Sequence, residues 1–357
     1  MKTKIIALST LAILISGLSL FNNDFMHRAA TTDSILKKER INEKQTLKIW
    51  RERINSIQQN RVLPIIDTEA TYETNIDVDF MMQSMDKLGV ALIAFAPKFL
   101  NPKEGSIESL KLHMLYPQYF IPTIADGTTK YWVEQEGEFI ETIAKEAQSG
   151  NYYFMGEFEI RHYMSVQDYF LNNISRDISI HPESPWVQRV FDISSKEQLT
   201  FQIHNDLEDD LSKPLAQMFS QYPNARVLWA HLGQIRYPDR QTIYSPKYVD
   251  ALLQKYNNLY FDLAVSLPER VYPGTGFTQN TLQELSGKLV FEWRELIEKY
   301  PDRFTIGSDI AGNRYESFPQ KIENARVILT QLSESTAEKV AYQNAWYLIT
   351  RTKWNEN

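Results

Sequence analysis

The sequence of 357 residues contains no cysteine. This absence excludes disulfide bonds, a thiol nucleophile, a thiolate metal site and a lipidated cysteine. Any metal ion that the chain binds must therefore take oxygen and imidazole nitrogen ligands.

The chain also lacks a block of basic residues. Its 45 acidic and 38 basic side chains give a formal net charge of −7 and are mixed along the sequence. Nucleic-acid-binding domains concentrate basic residues on one surface, so the composition argues against a nucleic-acid partner. We expect a small molecule as the partner.

The N-terminus has the pattern of a targeting segment. Lys2 and Lys4 precede an apolar run over residues 5–21, as in a secretory signal peptide. The run is also near the lower length limit for spanning a bilayer, so an uncleaved anchor is the alternative. We expect residues 1–24 to be a signal peptide or membrane anchor, with membrane association through residues 5–21. The protein is then exported, either periplasmic or anchored to the outer face of the inner membrane.

Residues 25–60 are charged and helical in pattern, with sparse apolar positions at Leu36, Ile41, Leu47, Ile54 and Ile57. This pattern predicts an N-terminal helical arm packed outside the main domain. A solvated linker is the equal alternative. Residues 61–357 then form the main domain.

Short apolar runs alternate with amphipathic stretches from residue 61 onward. Their continuous apolarity is typical of strands buried on both faces, as in parallel sheets. The predicted strands cover residues 62–67, 90–95, 119–125, 152–158, 200–204, 226–230, 259–263 and 304–308.

A predicted helix follows each of these strands, and a last helix covers residues 336–350. The eight helices cover residues 78–88, 106–116, 133–148, 185–196, 211–221, 246–256, 288–300 and 316–332. Eight strand–helix units predict an α/β fold, the (β/α)8 TIM barrel. A doubly wound sheet would have a glycine-rich phosphate turn after its first strand, where this chain has Asp67-Thr68-Glu69.

Ionisable residues stand at the ends of at least five predicted strands, where a barrel forms one rim and carries its catalytic groups. A charge at the end of a buried strand needs a partner, a metal or water. The residues are Asp67, Glu69, Glu157, Glu159, His204, His231 and Asp309.

Two histidines, His204 and His231, directly follow buried strands. One histidine in such a place is more often a core residue, but two beside carboxylates indicate a metal site for zinc, manganese or iron. His162, in the loop predicted after strand four, has two interpretations, a surface residue or a member of the rim.

Five short motifs occur in order on the predicted strands. They are Ile65-Ile66-Asp67-Thr68, Met155-Gly156-Glu157, Ile203-His204, Trp229-Ala230-His231-Leu232-Gly233 and Ile306-Gly307-Ser308-Asp309. In these residues the chain resembles the amidohydrolase superfamily, especially its amidohydrolase-related branch of metal-dependent hydrolases. The resemblance covers residues 63–349.

The resemblance implies roles for four of these residues. His204 and His231 would bind a metal, and Glu157 occupies the place of a carboxylate or modified lysine that can bridge two metals. Asp309 would bind metal and shuttle the proton of the attacking water. Asp309 and His231 are therefore the expected catalytic residues.

The first strand departs from the family pattern, which has His-x-His after the aspartate. Glu69 and Thr71 occupy those two places. Glutamate can bind a divalent ion, and some decarboxylating relatives have it there, whereas neutral threonine is a poor ligand. We expect one divalent ion, zinc or alternatively manganese or iron, and a second metal is doubtful. The predicted ligands are Glu69, Glu157, His204, His231 and Asp309.

The rim loops would contact a substrate. Arg161, His162, Arg236 and Arg314 follow strands four, six and eight, where arginine can clamp a carboxylate or phosphate. Alternatively the arginines pair with the many nearby acids. The long loop over residues 264–281 is either a lid or a passive insertion.

Three functions are compatible with these features, since a fold alone does not fix function. The leading hypothesis is a metal-dependent hydrolase that activates a metal-bound water to cleave an ester, lactone, amide or related bond. Glu69 in the place of the family's first histidine motivates the second hypothesis, a metal-dependent decarboxylase. Thr71 and the charged arm motivate a catalytically degenerate barrel that serves as an envelope binding or scaffold protein.

Overall fold

The computed structural model describes residues 41–98, 104–125, 127 and 130–355. The predicted signal peptide or anchor and the first part of the predicted arm lie outside these residues. Within the described ranges, no helix has both the length and the apolarity to cross a bilayer.

Eight parallel strands form the centre of the fold, and each pairs with the next along the chain. Every residue of the second, third and fifth strands is buried, because helices and the barrel interior cover both faces. The strands are β1 Ile65–Tyr72, β2 Val90–Pro97, β3 Phe120–Ile124, β4 Phe154–His162, β5 Thr200–Asn205, β6 Arg226–Trp229, β7 Leu259–Asp262 and β8 Phe304–Thr305.

Contacts between β1 and the segment that begins with β8 close the sheet. Thr68 N donates to Ile306 O at 3.0 Å, and Thr71 N donates to Ile310 O at 2.9 Å. The hydroxyls of Thr68 and Thr305 lie 3.0 Å apart. The predicted (β/α)8 barrel is therefore confirmed.

Helices connect the strands and cover the outside of the barrel. Several begin at a side-chain cap, such as Asp77, whose carboxylate accepts from Phe80 N at 3.0 Å. The α-helices of the described residues are α1 Glu43–Gln59, α2 Val78–Leu88, α3 Ile107–Leu115, α4 Lys130–Val133, α5 Gly137–Ser149, α6 Val166–Phe170, α7 Pro185–Glu197, α8 Ser212–Gln221, α9 Pro246–Lys255, α10 Phe291–Lys299, α11 Phe318–Leu329, α12 Glu334–Glu338 and α13 Asn344–Thr350.

Four strands extend beyond their predicted ends, β1 and β4 by more than β2 and β5. β1 continues to Tyr72 and β4 to His162, because the last two residues of β4 pair with the short antiparallel segment Ile178–Ser179. The predicted helix 336–350 is divided by a π-helical turn at Lys339–Gln343. The extension of β4 moves two predicted loop residues, at positions 161 and 162, into a strand.

Helix α1 packs against the end of the barrel at which β2 and β3 begin. Its residues Thr46, Trp50 and Ile54 are spaced by four and buried on one face. Trp50 Nε1 donates to Pro117 O at 2.8 Å, and Arg53 Nε donates to Ala91 O at 2.7 Å. The helix thus covers the end opposite the rim, while the domain division at residues 24 and 60 stays a prediction.

Candidate metal centre at the rim of the barrel

The structure brings the five predicted metal ligands together at the carboxyl ends of the strands. Their potential ligand atoms form two overlapping groups, each with all atoms within 4.8 Å of one another. One group is Glu157, His204 and His231, and the other is Glu69, His231 and Asp309.

His231 can offer only one nitrogen to an ion. Its Nδ1 lies 2.8 Å from Ala264 O, a carbonyl that can only accept, so Nδ1 carries the proton. Its Nε2 lies 3.1 Å from His204 Nδ1, 3.3 Å from Glu69 Oε1 and 3.4 Å from Glu157 Oε1. Because both groups use this one nitrogen, they describe a single ion position.

The backbone turns sharply at two of the ligands. His231 and Asp309 have φ values of 64° and 51°, a left-handed region that non-glycine residues rarely adopt. His231 N donates to Asp262 Oδ1 at 2.8 Å, and Asp309 N donates to Glu69 O at 3.1 Å. Neighbouring strands therefore hold the conformation that directs both side chains to the rim.

Glu69 is buried and its carboxylate is unsatisfied. Neither oxygen accepts a hydrogen bond from the described residues. Burial raises the pKa of Glu69 well above its usual range, as do the carboxylates of Asp262, Glu157 and Asp309. A buried carboxyl without donors costs free energy, and a bound cation would remove that cost. The donor set therefore fits a divalent ion.

Glu157 and His204 form the shortest contact between predicted ligands, with 2.7 Å between Glu157 Oε1 and His204 Nδ1. Burial opposes ionisation of Glu157, but His204 and His231 hold its pKa well below the usual range. Burial likewise opposes a charge on His204, yet Asp206 and Glu157 raise its pKa to about 10. In the metal-free protein these two groups therefore form an ion pair.

Two cations surround Asp309. Arg314 Nη2 lies 2.9 Å from Asp309 Oδ1, and Lys321 Nζ lies 4.0 Å from Asp309 Oδ2. Burial favours the neutral acid, but the charges of Arg314 and Lys321 lower the pKa of Asp309 to about 2. Asp309 is therefore an ionised carboxylate at neutral pH.

Asp67 supports the site from within the barrel. Its Oδ1 accepts from Glu69 N at 3.1 Å and from Ser308 N at 3.0 Å. Burial raises the pKa of Asp67 to about 7, against the opposing effect of its bonds to Ser308 and Glu69. Asp67 thus connects the strand that carries Glu69 to the segment that carries Asp309.

Two buried carboxylates of the site were not predicted from the sequence. Asp262, at the end of β7, accepts from His231 N, from Ala264 N and from Gln202 Nε2. Asp206 lies 3.3 Å from His204 Nε2. A single carboxylate within an apolar strand was the available signal for Asp262, and two-residue spacing from a histidine was the signal for Asp206.

All three predicted substrate-binding arginines pair with acids, which was the alternative interpretation. Arg161 is buried, with Nε 2.7 Å from Glu208 Oε1 and Nη1 2.6 Å from Asp177 Oδ1. Arg236 is also buried, with Nη1 3.2 Å from Asp206 Oδ2. The third, Arg314, pairs with Asp309 and has a side chain that is 45% exposed.

His162 is buried, so its interpretation as a surface residue was wrong. The extension of β4 places its ring 4.5 Å from that of His204, measured between centroids. Its Nδ1 lies 3.0 Å from Arg176 O. Burial lowers the pKa of His162 well below its usual value, and the positive charges of His204 and Arg236 add to this effect. His162 is therefore neutral.

A small cavity beside the site has room for about one water molecule. Its lining includes Glu69, Thr71, Glu157, Gln202 and Asp309. Three of these are predicted metal ligands, so this space adjoins the ion position.

A protein-family model described as amidohydrolase matches residues 137–348. A crystal structure of an amidohydrolase II is 13% identical and covers 80% of this chain and 99% of its own, with a TM-score of 0.52. A zinc-bound amidohydrolase from Burkholderia multivorans is 11% identical, with coverages of 80% and 98% and a TM-score of 0.48. 2,6-Dihydroxybenzoate decarboxylase in complex with 2,6-dihydroxybenzoate is 10% identical, with coverages of 81% and 99% and a TM-score of 0.47. No curated protein matches the chain.

Proposed function

Because the chain belongs to the amidohydrolase family, whose members use divalent metals on small molecules, we propose that it is a hydrolase with one divalent ion. Its reaction would cleave an ester, lactone, amide or related bond. The observation that carries the proposal is the pair of potential ligand groups that share His231, with both Glu69 oxygens buried and unsatisfied.

We propose zinc as the ion, since imidazole and carboxylate ligands without thiolates suit zinc, with manganese or iron as alternatives. Glu157, His204 and His231 would hold it, and Glu69 or Asp309 would complete the ligand set. The bound ion would activate a water molecule and polarise the scissile bond.

Asp309 would take the proton of the attacking water and pass it to the leaving group. Arg314 and Lys321 support this role because their charges keep the carboxylate ionised at neutral pH. The exposed part of Arg314 could in addition orient an anionic group of the substrate.

Elemental analysis of protein purified without chelator tests the metal site. We expect about one divalent ion per chain, from the single position that the ligands define. His204→Ala should lose the ion, while His181→Ala, at an exposed loop position, should retain it. A metal-free wild type, or equal metal content in the His204→Ala variant, would contradict the proposal.

An activity panel separates the hydrolase from its alternatives. Esters, lactones and amides should be cleaved, and the Asp309→Asn variant should lose this activity. Carbon dioxide release from aromatic carboxylates would instead indicate a decarboxylase. Absence of turnover, together with a ligand-induced rise in melting temperature, would indicate a binding protein.

We also propose that the protein is exported. The basic residues Lys2 and Lys4 and the apolar run over residues 5–21 support this proposal. Fractionation of cells that express the full chain tests it, and recovery of the protein from the cytosol alone would contradict it.

A further inference from the structure

His204 lies between two carboxylates that approach its two ring nitrogens. Nδ1 faces the other predicted ligands, at 2.7 Å from Glu157 Oε1 and 3.1 Å from His231 Nε2. Nε2 faces the opposite side and lies 3.3 Å from Asp206 Oδ2. The ion position therefore adjoins only Nδ1.

We infer that Asp206 is a positioning residue for the metal site. It accepts the Nε2 proton of His204, which leaves the Nδ1 lone pair for the ion. Such a carboxylate–histidine–metal arrangement fixes the tautomer and orientation of the ring and raises its basicity. This inference rests on the proposed metal-dependent function.

Asp206 is itself held in place. Its Oδ2 accepts from Tyr163 N at 2.9 Å and lies 3.2 Å from Arg236 Nη1. Its backbone N donates to Arg161 O at 2.7 Å, and its side chain is 2% exposed. The carboxylate thus has a fixed position and a paired charge, as an orienting group requires.

The same contacts give Arg236 and His162 a role other than substrate binding. Arg236 Nη1 lies 3.4 Å from His162 Nε2, and it also donates to Tyr163 O. The Nδ1 proton of His162 is directed at Arg176 O, so its Nε2 can accept from Arg236. Arg236 therefore holds Asp206 in place, and His162 packs against the His204 ring.

Glu208 provides a matched control. It is two residues from Asp206 and is likewise an ion-paired carboxylate, in contact with Arg161 Nε at 2.7 Å and Tyr163 Oη at 2.6 Å. Among the described residues, none of its hydrogen bonds or ion pairs involves a predicted metal ligand. A general disturbance of this side of the rim should therefore affect Glu208 and Asp206 variants alike.

The test measures zinc affinity of metal-stripped protein by competition with a chromophoric chelator. Asp206→Asn should weaken zinc binding roughly 10- to 100-fold, while Glu208→Gln should leave it unchanged. Equal affinity of wild type and Asp206→Asn would overturn the inference but leave the proposed function intact. A wild type that binds no zinc would overturn both.

A second measurement does not depend on an Asp206 variant. Zinc-loaded wild type with ¹⁵N-labelled histidine should show, by NMR, the His204 proton on Nε2. Six histidines make the assignment tractable by single replacements. A zinc-loaded protein in which His204 carries its proton on Nδ1 would overturn the inference even if Asp206→Asn did not fold.

Discussion

The backbone N–H of His231 donates a hydrogen bond to Asp262 Oδ1 at 2.8 Å. The same oxygen accepts from Ala264 N at 3.0 Å, and Ala264 O lies 2.8 Å from His231 Nδ1. One buried carboxylate therefore fixes the backbone of His231 directly, and its ring through the loop that follows β7.

Asp262→Ala should lower the free energy of unfolding of the metal-free protein by about 2–4 kcal/mol, because buried donors lose their acceptor. These donors are His231 N, Ala264 N and Gln202 Nε2. Asp250→Ala, at an ion pair with Lys299 on the surface, should cost less than about 1 kcal/mol. Urea denaturation measures both, and similar losses in the two variants would refute the role of Asp262.

Glu69→Gln and Glu157→Gln should differ in their cost to the stability of the metal-free protein. Glu69 has a raised pKa and no donors, so glutamine should leave metal-free stability within about 1 kcal/mol of wild type. Glu157→Gln removes the partner of His204 and should cost about 2 kcal/mol. Both variants should bind zinc more weakly. Chemical denaturation without metal, paired with zinc titration, checks this, and a larger stability loss in Glu69→Gln would count against it.

Gly307→Ala should destabilise the protein by about 1–3 kcal/mol through overpacking. An added Cβ would lie 2.8 Å from Glu69 Cβ and 2.9 Å from Ala264 Cβ. At Gly137 an added Cβ meets nothing within 4 Å, so Gly137→Ala should leave stability unchanged or raise it. Thermal denaturation compares the two variants. An unaffected Gly307→Ala variant would contradict the prediction and show that neighbouring atoms shift to accept the added Cβ.

Glu146 should make the protein less stable as pH rises from about 4.5 to 7. Burial raises its pKa to about 7 despite bonds from Ser106 N, Ser106 Oγ and Tyr152 Oη. The folded state then retains a proton that the unfolded state releases. The associated stability is complete below the unfolded pKa and is lost as pH rises through the folded pKa, by at most about 3 kcal/mol.

Urea denaturation at several pH values tests this prediction. Glu146→Gln should remove the contribution of Glu146 to the slope of the free energy of unfolding against pH between pH 4.5 and 7. Glu141→Gln, on the same helix and exposed, should leave that slope unchanged. An unchanged slope in Glu146→Gln would place the pKa of Glu146 near its ordinary value.

The barrel and the convergence of the five predicted ligands at its rim could be predicted from the sequence because each depends on local pattern. Apolar runs such as residues 90–95 are continuous, and a polar residue after such a run must lie at the rim. Strand ends were less predictable. The pairing of Arg161 and His162 with Ile178–Ser179 is a contact between distant segments, which no local pattern contains.

The partners of buried charges could not be predicted from local sequence pattern either. The position of Arg236 after a strand predicted contact with a substrate. Asp206, directly after the neighbouring strand β5, pairs with it instead. The sequence gives the chemistry of both residues but not their distance. The acceptor role of Asp262 depends in the same way on the turn at His231.

The closure of the barrel between β1 and the segment after β8 has a consequence for biosynthesis. Glu69 comes from the first strand and Asp309 from the last, and Ser308 N and Asp309 N both donate to Glu69 O. A nascent chain that lacks its final strand contains Glu157, His204 and His231 but not Asp309, and the backbone carbonyl of Glu69 lacks its two donors. Only the complete chain can therefore bring all five predicted ligands together.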